Sequence, residues 1–481
     1  MKANKGIAAL LAVILTLGAL VSCGGKKDGA AETYTPETVE PIDDNLQTDY
    51  TDDGDKLAYI NALRATFADM AETDGTLFTV SESPTGVTVI GYTGSAAEVR
   101  IPTEIGGRSV TGIADGAFAD NGLITKLYLP DGIVSVGEGV LEGMTALRAL
   151  RTPLMGADAD EAQFLGYLFG GTQYADNGMR VPATLEYLEL GGNMETLADF
   201  ALFECDDLIC VTLPDAMKAV GIYSFYYCTR LLAVNTDKLT TVGEHAFDSC
   251  RALTRMDFGG ALTSIGIGAM EGCIGLRTLT LPFVGGSATE NTYLGYLFGA
   301  AALDFSGGFY PPYLTRVTLL EGCSAFGDYA FYECDSLERV NIPEGVTALG
   351  IRAFSGCVRL ETVTLPNSLT AIGDNAFFGC LSLGGVEIDA DASCLASIGV
   401  NAFYDCGLLR QIKLSRGLTA LPASCFAGCV SLESIDLGGV TSVGKNAFYK
   451  CTRLQSVSAQ SDVTFAAGNE VAENLLNGEN R

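Results

Sequence analysis

The feature that most constrains the fold is a sequence unit that recurs along most of the chain. Each unit contains Leu-x-x-Val-x-Leu-Pro, then an apolar pair ending in Gly, then Ala-Phe-x-x-Cys, and residues 342–357 carry its second half. Neighbouring units are mostly 22 or 23 residues apart. One unit of this size cannot bury its apolar face alone and has to stack on its neighbours. The spacing therefore predicts a repeat solenoid.

Twelve units are recognised by the last position of Ala-Phe-x-x-Cys. Alternating apolar residues in Val-x-Leu-Pro are typical of a short strand, which the Pro ends because it lacks an N–H donor. We expect a mainly β solenoid of about twelve coils, roughly 60 Å long at about 4.8 Å per coil. The last-position residues are Asn121, Met144, Cys205, Cys228, Cys250, Cys273, Cys334, Cys357, Cys380, Cys406, Cys429 and Cys451.

These units resemble the BspA-like subtype of bacterial leucine-rich repeats, which end in the same Ala-Phe-x-x-Cys. The resemblance covers about three quarters of the chain and extends upstream to residues 87–94 and 99–107, which look like the lead-in to such arrays. It implies a surface-displayed, non-catalytic protein. Repeats of this kind are associated with attachment to host proteins or to other cells.

A longer period of 129 residues relates Asn121 to Cys250 and Met144 to Cys273, so the array contains a duplicated block. In each copy one unit is stretched by an insert, near residues 153–184 and 282–313. Both inserts contain the hexapeptide Leu-Gly-Tyr-Leu-Phe-Gly, at 165–170 and 294–299. The hexapeptides are best interpreted as a degenerate extra coil or short helix packed on the core.

The polar residues around the hexapeptides are the ligand-contact candidates, because insertions in repeats map to loops that are often on the binding face. Two related loops on one face could engage a ligand bivalently. The candidates are Asp158, Asp160, Glu161, Gln173, Tyr174, Asn177, Thr289, Glu290 and Asn291.

Residues 1–22 are typical of a secretion signal, since Lys2 and Lys5 precede an apolar run over residues 7–21. The sequence around Cys23 resembles the bacterial lipobox. That resemblance implies cleavage before Cys23, lipid attachment to its thiol, and a mature protein anchored at the bacterial cell surface without spanning the membrane. An ordinary signal peptide followed by a chance cysteine is the alternative.

The remaining boundaries follow from composition and periodicity. Residues 23–54 have few large apolar groups and are expected to form a disordered tether. Residues 55–100 contain an N-terminal helix and a lead-in cap, and the apolar stripe of the helix is expected to cover the open first coil or to bind a partner. The solenoid spans 101–458, and 459–481 is a polar tail expected to fray or to form a short capping helix.

Fifteen cysteines in an exported chain would ordinarily suggest disulfides. Ten of them, however, occupy the one repeated position that Asn121 and Met144 also fill. This pattern predicts buried, reduced side chains that fit an interior turn. Cys323 and Cys425 stand at apolar places of their units and are expected to be small core residues.

Several chemistries are disfavoured by residue usage. The net charge of −29 repels nucleic acid. The single histidine, His245, stands at a variable repeat position, so a multi-histidine zinc site cannot be assembled and no metal site, cofactor or catalytic residue is predicted.

We therefore expect a non-catalytic surface protein for protein recognition or adhesion, with an unidentified protein ligand on a host or bacterial surface. The alternative is a glycan-binding or glycan-degrading protein that uses paired carboxylates. The chain has no Trp, the best sugar-stacking residue, but it has 19 Tyr.

Overall fold

The repeat units fold into stacked coils, in a computed structural model that describes residues 53–158, 163–290, 292–303, 307–324 and 326–477. The predicted signal peptide, nearly all of the predicted tether and Cys23 lie outside the described residues. Asp160, Glu161 and Asn291 lie outside them as well.

The secondary structure consists mainly of very short strands. The first ten are β1 Phe78–Ser83, β2 Gly86–Tyr92, β3 Glu98–Arg100, β4 Glu104–Ile105, β5 Arg108–Ile113, β6 Lys126–Tyr128, β7 Ser135–Val136, β8 Ala149–Thr152, β9 Tyr187–Leu190 and β10 Thr196–Leu197. The next ten are β11 Cys210–Thr212, β12 Ala219–Val220, β13 Ala233–Val234, β14 Thr241–Val242, β15 Arg255–Asp257, β16 Ser264–Ile265, β17 Thr278–Leu281, β18 Arg316–Leu319, β19 Arg339–Val340 and β20 Ala348–Leu349. The last ten are β21 Thr362–Thr364, β22 Ala371–Ile372, β23 Gly385–Glu387, β24 Ser397–Ile398, β25 Gln411–Lys413, β26 Ala420–Leu421, β27 Ser434–Asp436, β28 Ser442–Val443, β29 Ser456–Ser458 and β30 Thr464–Phe465.

Four 3-10 helices and three α-helices complete the described elements. The 3-10 helices are Gly75–Leu77, Leu165–Phe169, Tyr174–Asp176 and Leu294–Phe298, and the α-helices are α1 Asp53–Arg64, α2 Asn177–Arg180 and α3 Glu470–Leu476.

Each typical coil contributes one strand to each of two parallel series. The first series, which we call the front sheet, forms ladders of six, six and three strands, ordered β13-β11-β9-β8-β6-β3, β15-β17-β18-β19-β21-β23 and β25-β27-β29. The middle residue of a front strand points inward, and the in-register residues Leu127, Leu150, Leu188 and Val211 are fully buried. Because side chains alternate along a strand, the flanking residues face outward.

The solenoid has about 16 turns rather than the twelve expected. Part of the difference comes from the hexapeptides, which form coils without the Ala-Phe-x-x-Cys signature. Leu165 N–H donates to Ala201 O (2.9 Å) and Leu141 N–H to Leu168 O (2.7 Å), so the first hexapeptide lies between two ordinary coils. The side chains of Leu165, Leu168 and Phe169 are buried, as are those of Leu294, Leu297 and Phe298. The interpretation of the hexapeptides as extra coils is confirmed.

The Phe residues of successive units form stacked columns in the core. The rings of Phe354, Phe377 and Phe403 lie 5.2 Å apart with planes within 6° of parallel. This spacing is close to the separation of about 4.8 Å between hydrogen-bonded strands. The ring separation therefore follows the backbone repeat, and it lies within the range of about 4.5–7 Å that aromatic pairs prefer.

The cysteines at the last position connect neighbouring coils. The Cys357 thiol donates to the backbone carbonyl of Phe331 in the preceding coil at 3.1 Å, and Cys380 makes the same bond to Phe354. Burial raises the pKa of both thiols. No disulfide is present among the described residues, where the cysteines at the last position are buried. Cys323 and Cys425 are buried as predicted.

The turn containing Ala-Phe-x-x-Cys uses the left-handed backbone region twice, once before Ala and once before Cys. In one unit the two residues are Tyr223 (φ 53°) and Tyr227 (φ 62°), and in another they are Asn401 and Asp405. The Gly before this turn has a different role: a Cβ at Gly373 would lie 2.6 Å from the backbone of Gly350 in the preceding coil. The Gly is therefore required by close approach of the coils.

The expectation that α1 covers the first coil is wrong. The antiparallel hairpin β1–β2 does so instead, since β2 pairs in parallel with β5 and Val87 and Val89 join the main core. The segment that follows α1 lies on the outer face of the front sheet, where the Phe67 ring is 5.8 Å from Tyr128 and 5.9 Å from Tyr187.

The outer face of the front sheet is apolar at this end, and this explains the position of the N-terminal segment. Ile60, Leu63, Phe67 and Met70 cluster with the outward-facing residues Ala149, Tyr187 and Cys210. Cys210 is therefore a surface-strand residue covered by the N-terminal segment, not a member of the cysteine ladder.

The predicted C-terminal tail continues the solenoid before it ends in a helix. Strand β30 pairs with β28, and the buried Asn469 accepts from Phe448 N–H (3.1 Å) and donates to Gly444 O (2.8 Å). Ala472 of α3 is buried against the core. Of the two expectations for the tail, the capping helix agrees with the structure through residue 477.

In the described part of the chain, none of the helices combines the length and the apolar composition that crossing a membrane requires.

We predict that a thiol reagent modifies one of the fourteen described cysteines in the native state and all fourteen after denaturation. Cys394 is exposed and the other thirteen are buried, so the reagent cannot reach their thiols in the native state. Titration in a Cys23→Ser background, with and without guanidinium, measures both numbers. A Cys394→Ser variant should show no reactive thiol in its native state. Detection of clearly fewer than fourteen thiols in the denatured, non-reduced parent protein would contradict the prediction.

Candidate functional site

The structure separates the predicted contact residues into exposed, structural and aromatic groups. Thr289 and Glu290 are exposed, and their backbone N–H groups donate to the Ser287 hydroxyl. Asp158 is half-buried, and its carbonyl accepts from Gln163. These three residues stay predictions as ligand contacts.

Asn177 is not available for contact, because its side chain is fully buried. Its Oδ1 accepts from Gly166 N–H at 2.7 Å and its Nδ2 donates to Ala201 O at 3.3 Å. The side chain therefore joins the first hexapeptide to the next coil. The sequence pattern could not separate this role from a polar loop residue.

Gln173 and Tyr174 follow the first hexapeptide. Gln173 is exposed and forms a capping box with Asp176 at the start of a 3-10 helix. The Tyr174 ring stacks on Phe200 of the next coil, with centroids 4.3 Å apart and planes at 22°. Tyr174 is thereby joined to a larger aromatic surface.

This surface, which we call the aromatic edge, runs along the turns of four successive coils. One column contains Tyr174, Phe200, Tyr223 and the imidazole of His245. The ring centroids of Phe200 and Tyr223 lie 5.5 Å apart, and those of Tyr223 and His245 lie 4.9 Å apart. A second column contains Phe203 and Tyr226, stacked at 4.9 Å. These five rings and the imidazole are half-buried, so each presents part of its surface to solvent.

The aromatic residues of the first column occupy strained backbone positions. Phe200 has φ 60° and Tyr223 has φ 53°, in the left-handed region that bulky side chains rarely adopt. Six other coils place Gly or Asn at this point, and four place a different side chain there; the first six are Gly116, Gly139, Gly268, Asn375, Asn401 and Asn446, and the other four are His245, Tyr329, Arg352 and Ser424. An aromatic residue here costs about 1 kcal/mol or more of local strain, and Phe200 and Tyr223 carry this cost in two successive coils whose rings stack.

The aromatic edge lies in a negative electrostatic field. Burial, together with the charges of Asp248, Glu271 and Glu244, raises the pKa of Tyr223 to about 12. Burial and several of the same carboxylates, with Glu204, raise the pKa of Tyr226. Arg251 is the nearby cation, 5.4 Å from the ring of Tyr227 at the margin of the edge. The combination of ring faces and carboxylates favours a cationic partner.

Sequence reasoning missed this edge although a signal for it exists. Phe200 and Tyr223 are 23 residues apart, as are Phe203 and Tyr226. Aromatic residues one repeat apart at solvent-facing turn positions stack in a solenoid. Of the residues that form the aromatic edge, only Tyr174 was among the contact residues predicted from the inserts.

A second exposed surface is a groove of about 770 Å³ on the outer face of the front sheet, over strands from β21 to β29. Thr364, Glu387, Gln411, Lys413 and Asp436 are among its lining residues. The lining contains no aromatic residue. Binding surfaces are enriched in Tyr, Phe and Arg at their centres, so the aromatic edge is the stronger candidate.

Comparison with known proteins identifies the type of repeat. A family model described as "BspA type Leucine rich repeat region" matches residues 182–293, 306–394 and 386–474 in six copies, which together span more than half of the chain. Comparison with curated proteins finds no match.

Solved structures of bacterial repeat proteins are also similar to this chain. A leucine-rich cell surface protein from Faecalibacterium prausnitzii is 22% identical over 86% of this chain and 98% of its own, with a TM-score of 0.30. A leucine-rich repeat protein from Bacteroides ovatus is 18% identical over 83% and 99%, with a TM-score of 0.32. The pneumococcal vaccine antigen PcpA is 16% identical over 85% and 96%, with a TM-score of 0.28.

We predict that Asp206→Asn raises the melting temperature at pH 7.5 and has a smaller effect at pH 3.5. Burial, with the charges of Glu204 and Asp207, raises the pKa of Asp206 to about 6. An aspartate whose folded pKa exceeds its unfolded value destabilises the native state when ionised, and this cost disappears as the pH falls below the unfolded value of about 3.9.

Asp207→Asn is the matched control for this experiment. Asp207 accepts from Arg230 at 2.9 Å, so its replacement removes a favourable contact and should not raise the melting temperature at pH 7.5. Equal effects of Asp206→Asn at both pH values would show that charge repulsion is not the cause. Thermal unfolding followed by circular dichroism gives the melting temperature of each variant, relative to wild type, at pH 7.5 and at pH 3.5.

Proposed function

Because the chain belongs to the BspA-type leucine-rich repeat family, we propose that it is a non-catalytic surface protein that recognises a protein ligand through the aromatic edge. The observation that carries the proposal is the stacking of Phe200 and Tyr223 in two successive coils, at a left-handed turn position where six other coils use Gly or Asn. Strain at such positions persists where function requires it.

The proposed ligand presents Lys and Arg side chains to the edge. The chain has a net charge of −29, and Glu204, Glu244, Asp248 and Glu271 act electrostatically on the edge tyrosines. Cations over Tyr rings contribute about 0.5–2 kcal/mol each, depending on how far they are desolvated. Complementary charge also speeds association and excludes acidic competitors.

The first insert takes part through Tyr174, which extends the first column by one ring. The second insert lies five coils from the first along the ladder of turns, or about 24 Å at about 4.8 Å per coil. Glu290 and Thr289 are exposed there. A ligand that spans this distance engages both loops and gains from the raised effective concentration.

The decisive experiment compares the chain with a Phe200→Asn/Tyr223→Asn variant. Asn fills the same turn position in other coils, so the variant should fold with an unchanged or higher melting temperature. A display library of extracellular protein fragments is selected on each protein in parallel. We expect the wild-type chain to enrich fragments that are rich in Lys and Arg. The affinity of these fragments for the variant should be lower by about tenfold or more, and their affinity for the wild-type chain should fall at high salt.

A Gln411→Ala/Lys413→Ala variant in the groove is the control and should bind these fragments like wild type. Loss of binding in the groove variant, with retention in the edge variant, would move the site to the front sheet. Enrichment without a basic bias would contradict the proposed ligand chemistry. Selective binding to a glycan array, unaffected by the edge variant, would favour the glycan-binding alternative instead.

We also propose that a lipid at Cys23 attaches the protein to the cell surface, on the basis of the lipobox resemblance. Cys23→Ser should release the protein from the membrane fraction of cells without lowering its melting temperature, because position 23 lies outside the repeat array. Ser22→Ala, which keeps the cysteine, should remain membrane-bound. Membrane retention of Cys23→Ser in detergent-free fractionation would refute the anchor.

A further inference from the structure

At the end of the aromatic edge, one imidazole and two carboxylates converge from two successive coils. His245 Nδ1 lies 3.1 Å from Asp248 Oδ2 and 3.5 Å from Glu271 Oε2. The three ligand atoms all lie within 4.8 Å of one another. A tetrahedral zinc ion with bonds of about 2.0–2.2 Å has ligand atoms about 3.4 Å apart. Two of the three separations are therefore already close to those of a coordination shell.

We propose that His245, Asp248 and Glu271 form a binding site for a divalent transition-metal ion of the zinc class. Imidazole nitrogen combined with carboxylate oxygen suits zinc and its neighbours, whereas calcium and magnesium prefer oxygen alone. Three protein ligands leave a fourth position for water or for a group from a binding partner. This metal-site proposal does not depend on the proposed protein ligand.

The neighbours of these residues hold them in place. The His245 ring lies parallel to Tyr223, 4.9 Å away and within 5°. The Ser249 hydroxyl donates to Asp248 Oδ1 at 2.9 Å, which leaves Oδ2 directed at the imidazole. Such outer contacts fix the orientation of metal ligands.

A glycine in the next coil makes room for the cluster. A Cβ at Gly268 would lie 2.6 Å from the imidazole Cε1 and 3.0 Å from Glu271 Oε2. Any side chain at this position would therefore displace a ligand. The side chains of His245, Asp248 and Glu271 are 24%, 14% and 43% exposed, so an ion can reach them from solvent.

The duplicated block provides an internal comparison. Glu142, 129 residues before Glu271, is neutralised by Arg180 at 3.2 Å. In the second copy, Phe309 stands where Arg180 would be, and in the described part of the chain Glu271 pairs with neither Lys nor Arg. The positions of His245 and Asp248 are Gly116 and Ala119 in the first copy. The second copy therefore lacks this cationic side chain and has two metal-ligating groups that the first copy lacks, all at one place.

An ion pair between a protonated His245 and the two carboxylates is the competing explanation, and metal titration distinguishes the two. The full chain, in a background with Cys23→Ser and Cys394→Ser to remove thiol ligands, is treated with chelator and titrated with zinc chloride by calorimetry. We expect one equivalent to bind with micromolar affinity. His245→Asn and Glu271→Gln should each weaken binding by about tenfold or more.

Glu142→Gln is the matched control, because it changes the corresponding carboxylate of the first copy and should leave zinc affinity unchanged. Cobalt(II) supplies a second readout, since its visible bands should appear in the wild-type background and vanish in His245→Asn. His245→Asn is expected to fold, because other coils carry Asn375, Asn401 and Asn446 at the same turn position. If His245→Asn does not fold, the zinc affinity of Glu271→Gln tests the proposal instead. Absence of zinc binding, unchanged affinity in the folded variants, or an equal loss in Glu142→Gln would overturn the proposal.

Discussion

The structure depends on hydrogen bonds that only a neighbouring coil can complete. Each two- or three-residue strand and each left-handed turn leaves backbone donors and acceptors that would be unsatisfied in isolation. Phe354 N–H, for example, donates to Ala376 O in the following coil, and Phe354 O accepts the Cys380 thiol from that same coil. The stability of any unit is therefore shared with its neighbours, as expected for a quasi-one-dimensional array.

This dependence explains why the two ends are closed by different elements. An uncovered coil would present unpaired backbone and apolar side chains to water. The β1–β2 hairpin pairs with the first coil, whereas Asn469 and α3 finish the last coil. The segment after α1 serves another purpose, since it covers an apolar area of the front sheet centred on Tyr187.

Residue identity varies most at positions where the repeated backbone conformation does not require a particular side chain. The core positions accept Leu, Val, Ile, Phe or Cys, and the turn before Ala requires only a left-handed backbone. That position holds aromatic rings after the first insert and His245 further along. The strain that aromatic residues add there is local, and the interfaces with neighbouring coils offset it, so a solenoid can carry costly residues at one edge.

The sequence by itself determined the repeat, the inward-facing positions, the cysteine ladder and the extra coils, because each of these depends on local periodicity and on side-chain size. Tertiary structure alone decided which residues from different units meet. Stacking of the coils brings Tyr174 into contact with Phe200 and Glu271 into contact with His245. Within a single unit, each of these residues stands at a position whose residue type varies between units, so its contact cannot be read from that unit. It also buries Asn177 and places Phe67 on the front sheet. These contacts depend on the exact lengths of the inserts and of the N-terminal segment, which no repeat pattern encodes.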